Sequence, residues 1–148
     1  MAAAAARATT VSVATYRDDP LYPRIKRAVA AILATGKVVA PVDVLVRMGM
    51  LAPDRLEQWH RGRIAYLEQV IDCNLTRLSR RLRILRFHTH ELKLVPSMTV
   101  YVSQGTRRRQ RLRFTKSGQA AIEEAYARHF VWPGKGPFPT LVRKEAPE

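Results

Sequence analysis

The chain has 148 residues, a formal net charge of +14 and an apolar fraction of 47%. That length suits one domain with tails, able to bury about 70% of its unfolded surface, and that apolar content excludes a wholly disordered chain. The charge is local: residues 61–116 hold fourteen Lys/Arg against three Asp/Glu, while residues 1–60 carry a surplus of three and residues 117–148 none.

Met1 to Asp19 is Ala- and Thr-rich and reads as a disordered N-terminal tail, closed by Asp18-Asp19-Pro20. Residues 20–132 read as a single compact basic domain. Its first helix covers 23–35, with Pro23 at the start, Gly36 at the end, and Ile25, Val29, Ile32 and Leu33 on one face. Lys37-Val38-Val39 is a short connector or strand. Pro41 opens a second helix, Val42 to Met48, stopped by Gly49, and Pro53 opens a third with Leu56 and Trp59 three apart. After Gly62 comes the longest periodic run: Ile64, Leu67, Ile71, Leu75, Leu78, Leu82 and Leu85. Five of these, from Ile71 on, fall within an arc of about 80° on a helix.

The texture then changes. Pro96 to Ser103 is rich in β-branched and aromatic residues, Gln104-Gly105-Thr106 reads as a turn, and Arg109 to Thr115 alternates. This is a β-hairpin pattern, with Leu112 and Phe114 on the inner face and Arg109, Arg111 and Arg113 outside. A last helix is expected at about 119–131, with Ile122, Tyr126 and Phe130 at spacing four. From Pro133 to Glu148, four Pro and two Gly mark a flexible C-terminal tail. The fold class is therefore mainly α with a C-terminal β-hairpin, an α+β arrangement.

Two short helices meeting at Gly49, a helix before them and an Arg-rich hairpin after them resemble a winged-helix domain with a basic wing. The resemblance covers layout and not a signature sequence: Pro53, Asp54 and Glu57 fall in the second short helix, and an extra long helix precedes the hairpin. It implies a helix–turn–helix over residues 41–61 and DNA as a ligand slightly ahead of RNA.

Two basic constellations carry the functional reading. Arg107, Arg108, Arg109, Arg111, Arg113 and Lys116 crowd the hairpin without one acid. One or two charges suffice to protect a sheet edge, and guanidinium forks match phosphate oxygens. On the long helix, Arg77, Arg80, Arg81 and Arg83 lie opposite the apolar stripe, with no acid at i,i+4 to relieve their repulsion. The expectation is a non-enzymatic protein that contacts nucleic-acid phosphates through both sets. The alternative is an interaction module whose basic surface meets an acidic partner or an anionic membrane surface.

Other chemistry has little to stand on. Cys73 is the only cysteine, so no intrachain disulfide or cysteine-based zinc site can form, and a reducing compartment, the cytoplasm, is expected. No apolar run approaches the roughly 18 residues of a membrane span. His88, His90 and Glu91 suit a metal only in an extended chain, because H-x-H on a helix points the rings about 200° apart. These histidines are expected at the surface. Phosphate-loop, dinucleotide and nucleophile-elbow motifs are absent, so no cofactor is implied. The apolar helical stripe suits the core better than pairing with a second copy.

Overall fold

The computed structural model describes residues 12–105, 107–136 and 138. Among these residues, five α-helices and a small three-stranded antiparallel sheet form an α+β fold, mainly helical as the sequence indicates. In chain order these are α1 (Tyr22–Thr35), β1 (Val38–Val39), α2 (Pro41–Arg47), α3 (Pro53–His60), α4 (Leu75–Glu91), β2 (Val95–Met98), α5 (Ala120–Ala127) and β3 (Arg128–Val131). Each of the first three helices has a proline in its first two positions. There the missing N–H costs nothing and the fixed φ favours the helical start.

The long helix begins at Leu75, not near Ile64, and continues past Leu85 to Glu91. Asn74 caps it, its side-chain oxygen accepting from the Arg77 amide at 2.8 Å. Residues 64–71 keep helical spacing but are irregular around a 3-10 turn at Leu67–Val70. Amides here bond across the fold: Leu67 and Glu68 to the carbonyls of Arg113 and Phe114, and the next residue in the chain, Asp72, to that of Met50. Leu67 and Ile71 are buried all the same.

The sheet order is β1-β3-β2, with Val39 opposite Phe130 and Pro96 opposite Phe130 on the other side. This corrects two expectations. Residues 128–131 are the central strand and not the end of a helix, because β1 and β2 offer partners on both sides. And β2 pairs with β3, not with residues 109–115. The expected hairpin survives as a single antiparallel bridge, Val102 to Arg111, flanked by Ser103 N–H to Gln110 O and Leu112 N–H to Tyr101 O, both 2.8 Å. The backbone of residues 113–115 is engaged instead by Trp59, Leu67, Glu68 and Glu123. β2 is an exposed edge strand, and Pro96 removes one of its donors, which blunts the edge.

The core joins α1, α2 and α4 to the sheet through Ile25, Val29, Leu45, Leu78, Ile84, Leu85, Val39 and Phe130. Residues 12–19, expected in the tail, include a 3-10 turn that packs against α4. Tyr16 is buried, and both its hydroxyl and the Arg17 guanidinium donate to Glu91. Burial beside that carboxylate pushes the Tyr16 pKa up to about 12. Residues 1–11, 137 and 139–148, most of the expected tails, lie outside the described residues, as does Thr106 of the expected turn. Among the described residues, no helix is long and apolar enough to cross a membrane.

Candidate nucleic-acid interface

Residues 99–119 form a loop between β2 and α5, here the wing loop, and it has two sides. Leu112 and Phe114 are buried while Arg109, Arg111 and Arg113 are exposed, as alternation requires. Phe114 stacks on Tyr126 at 5.0 Å between ring centroids and meets Trp59 at 5.1 Å. Tyr101 closes the cluster, 5.3 Å from both Trp59 and Phe114. Polar bonds fasten the same side. The Trp59 indole N–H donates to the Arg113 carbonyl at 2.8 Å. The Glu123 carboxylate, on α5, accepts from the Phe114 amide at 3.2 Å, the Thr115 amide at 2.8 Å and the Thr115 hydroxyl at 2.6 Å. The Tyr101 hydroxyl pairs with His129 Nε2 at 2.7 Å. Burial raises the tyrosine pKa and lowers that of the histidine. With Phe114 buried on this side, a base cannot stack on it without unfolding the loop.

The tip of the wing loop rests on the segment that follows α3. Gln104 N–H donates to the His60 carbonyl at 2.7 Å. Gly62, with φ at 76°, comes so close that a Cβ there would lie 3.2 Å from that of Ser103. Gly105, with φ at 72°, faces the Arg61 guanidinium, 3.6 Å from where its own Cβ would be. Only glycine is at ease in this left-handed region. The contact adds Arg61 to the basic wing, a residue that the sequence reading does not single out. The Arg-Gly-Arg triplet at 61–63 was the available signal, but nothing local says that it abuts residues 103–105. Arg61 also pairs with Glu57 at 2.7 Å, one helical turn back. Arg63 lines an open depression of about 810 Å³ together with Arg55, Gln58 and Asp72.

The ten expected site residues divide. Arg107, Arg108, Arg109, Arg111 and Lys116 are exposed on the wing loop. Arg113 is exposed too, but its guanidinium donates to the carbonyls of Thr115 and Lys116 at 3.2 and 2.7 Å and so braces the loop. On α4, Arg77 and Arg83 are exposed, as is Arg86. Arg80 and Arg81 are tied into the fold. Arg80 pairs at 2.5 Å with Asp19, which is only 7% exposed and also accepts from the Leu21 amide. Arg81 donates to the Cys73 sulfur at 2.8 Å. The acid absent from the neighbourhood of Arg80 in sequence is supplied by the segment before α1.

The two basic sets are not one continuous face. Helix α5 stands between them: a cavity of about 360 Å³ on one side is lined by Arg111 and Arg113, and one of about 420 Å³ on the other by Arg83 and Arg86. Glu124 lines both and interrupts the positive surface.

Residues 88–91 are helical, so His90 points to solvent while His88 is 1% exposed, against the expected surface position. Its ring packs edge-on against Tyr22 at 5.4 Å, neither ring nitrogen has a hydrogen-bond partner, and burial pulls its pKa down to about 4. Among the described residues, no cluster of His, Cys, Asp or Glu is placed to hold a metal ion. No protein-family model, curated protein or solved structure matches this chain.

Proposed function

We propose that this protein binds nucleic acid through the wing loop and the adjoining end of α3, gripping phosphates with Arg107, Arg108, Arg109 and Arg111 and with Arg61 beside them. One observation carries the reading: the wing loop is anchored by its apolar side to an aromatic cluster, while its arginines face outward and its tip, Ser103 to Gly105, rests on a second arginine-bearing segment. An anchored loop loses little further entropy on binding, which favours affinity. DNA is preferred over RNA because α2 and α3 are two short helices joined by a turn and α3 ends where the wing tip sits. Arg77, Arg83 and Lys116 add long-range attraction. Arg80 and Arg81 play no part in contact.

Fluorescence anisotropy with a labelled duplex tests this. Log affinity should fall linearly with log salt, with a slope near −0.9 per contacted phosphate. Replacing Arg107, Arg108 and Arg109 with Ala should weaken binding to all sequences and reduce the slope by up to about three. Normal binding by this variant overturns the reading.

A second reading has its own support. The cavity beside α4 has an apolar floor of Leu82, Ile122 and Phe130 under Arg83, Arg86 and Arg128. Such a surface fits an acidic protein segment with one apolar face better than a phosphate backbone. Under this reading Arg83→Glu leaves duplex binding intact and abolishes binding of an acidic amphipathic helical peptide.

A further inference from the structure

We propose that Arg24, Arg27 and Arg47 form a pocket for a phosphate group between α1 and α2, apart from the wing. Arg24, Arg27, Ala28 and Ala31 recur at helical spacing and share one face of α1. Arg47 is the last residue of α2, and α1 and α2 pack together. The side chains enclose an open pocket of about 210 Å³ lined by these four residues of α1 with Arg47 and Met48. No carboxylate lines it.

The geometry is built in three ways. Ala28 and Ala31 are small, so the wall of α1 is concave where a longer side chain would fill the space. Arg24 is steadied by donating to the Met48 carbonyl at 3.3 Å. That contact also sets a positive charge at the C-terminal end of α2, which the helix dipole favours. It accounts for one N–H of one guanidinium. Neither Arg27 nor Arg47 takes part in an ion pair or hydrogen bond among the described residues, and like charges held together repel unless an anion joins them. A tetrahedral dianion offers enough acceptors for three planar forks, which is the match that makes arginine the preferred phosphate ligand. The wing arginines line no part of this pocket, so the inference does not rest on the interface proposed above.

Inorganic phosphate is the probe, titrated by calorimetry at constant ionic strength balanced with sodium chloride. The wild-type protein should bind one phosphate. Arg27→Ala combined with Arg47→Ala should weaken it by roughly tenfold or more, the worth of lost charge-assisted hydrogen bonds. Ala31→Leu should do the same by filling the pocket with all three charges intact. Because these positions lie outside the buried core, all variants should melt normally in chloride. The triple wing variant should bind phosphate as the wild type does. Duplex DNA then identifies the source of the group. If the Arg27→Ala, Arg47→Ala protein also loses duplex affinity, the pocket takes a backbone phosphate. If duplex affinity is unchanged, it takes a free phosphorylated molecule. Phosphate binding that is absent in the wild type, or equal in the wild type and both pocket variants, overturns the proposal.

Discussion

Glu123 is the residue on which the position of the wing loop turns. Its carboxylate receives two backbone amides and one hydroxyl from Phe114 and Thr115, which are 3% and 2% exposed. Replacing Glu123 with Ala leaves both amides buried without an acceptor. The Thr115 hydroxyl still accepts from the Gly118 amide at 2.8 Å and can turn elsewhere, so it contributes less. Hydrogen bonds to a charged group are worth about 1.5–3 kcal/mol each. Two of them, reduced by water entering the loosened loop, give an expected loss of about 3 kcal/mol. For a domain of this size that lowers Tm by roughly 10 °C. Glu123→Gln keeps one acceptor oxygen and should cost about 1 kcal/mol. Thermal melts followed by circular dichroism measure both. The binding assay adds a sign test. Glu123→Ala makes the protein more positive by one unit, which on charge alone strengthens its attraction to DNA. A weakened complex therefore reports that loop position outweighs net charge. If Glu123→Ala melts within about 0.5 kcal/mol of wild type, or binds duplex more tightly, the anchoring argument fails.

Two further perturbations probe the frame. His88 is buried with its pKa pulled down to about 4, whereas the unfolded chain titrates near 6.5. Between those values the unfolded state binds more protons, so stability falls as pH drops through this window and levels off below it. The difference amounts to about 3 kcal/mol, and chemical denaturation of His88→Phe should show a flatter pH profile over that range, with the contributions of His129 and, at its acid end, of Glu91 left. Arg80→Ala should leave the salt slope of DNA binding unchanged and destabilise the fold by about 2 kcal/mol, because Asp19 would remain buried without its partner. A normal melt with weakened binding would return Arg80 to the interface.

The parts legible in the sequence are those fixed by local chemistry. Pro23, Pro41 and Pro53 mark three helix starts, and α1, α2 and α3 begin within a residue of them. The alternation from Arg109 to Phe114 assigns inner and outer faces even though no regular strand forms there, because burial of Leu112 and Phe114 alone dictates it. What was not legible depends on partners distant in sequence. Phe130 follows Tyr126 by four and so continues a helical pattern, yet it lies on β3, whose existence depends on Val38–Val39 and Val95–Met98. Arg80 looks unpaired within its own helix and finds Asp19 sixty-one positions away. The abutment of residues 60–62 on 103–105 is likewise invisible locally, and it is what widens the basic tip beyond the arginines the sequence singled out.

The positive stretch also makes a demand on the free protein. Within residues 61–116 the fold neutralises or occupies Arg61, Arg80, Arg81 and Arg113 through Glu57, Asp19, Cys73 and loop carbonyls. Arg63, Arg77, Arg83, Arg86, Lys93, Arg107, Arg109, Arg111 and Lys116 remain as charges facing solvent. Their mutual repulsion opposes compaction and is screened over about 10 Å at 0.1 M salt. Raising sodium chloride from low to physiological concentration should therefore raise the Tm of the free protein while it weakens the complex with DNA. The two trends have opposite signs because salt removes a repulsion in one case and an attraction in the other. A Tm that falls over the same range would mean that ion pairs such as Arg80–Asp19 and Arg17–Glu91 outweigh the unpaired arginines. The surface would then be balanced rather than poised for a polyanion, and the phosphate reading would lose its electrostatic basis.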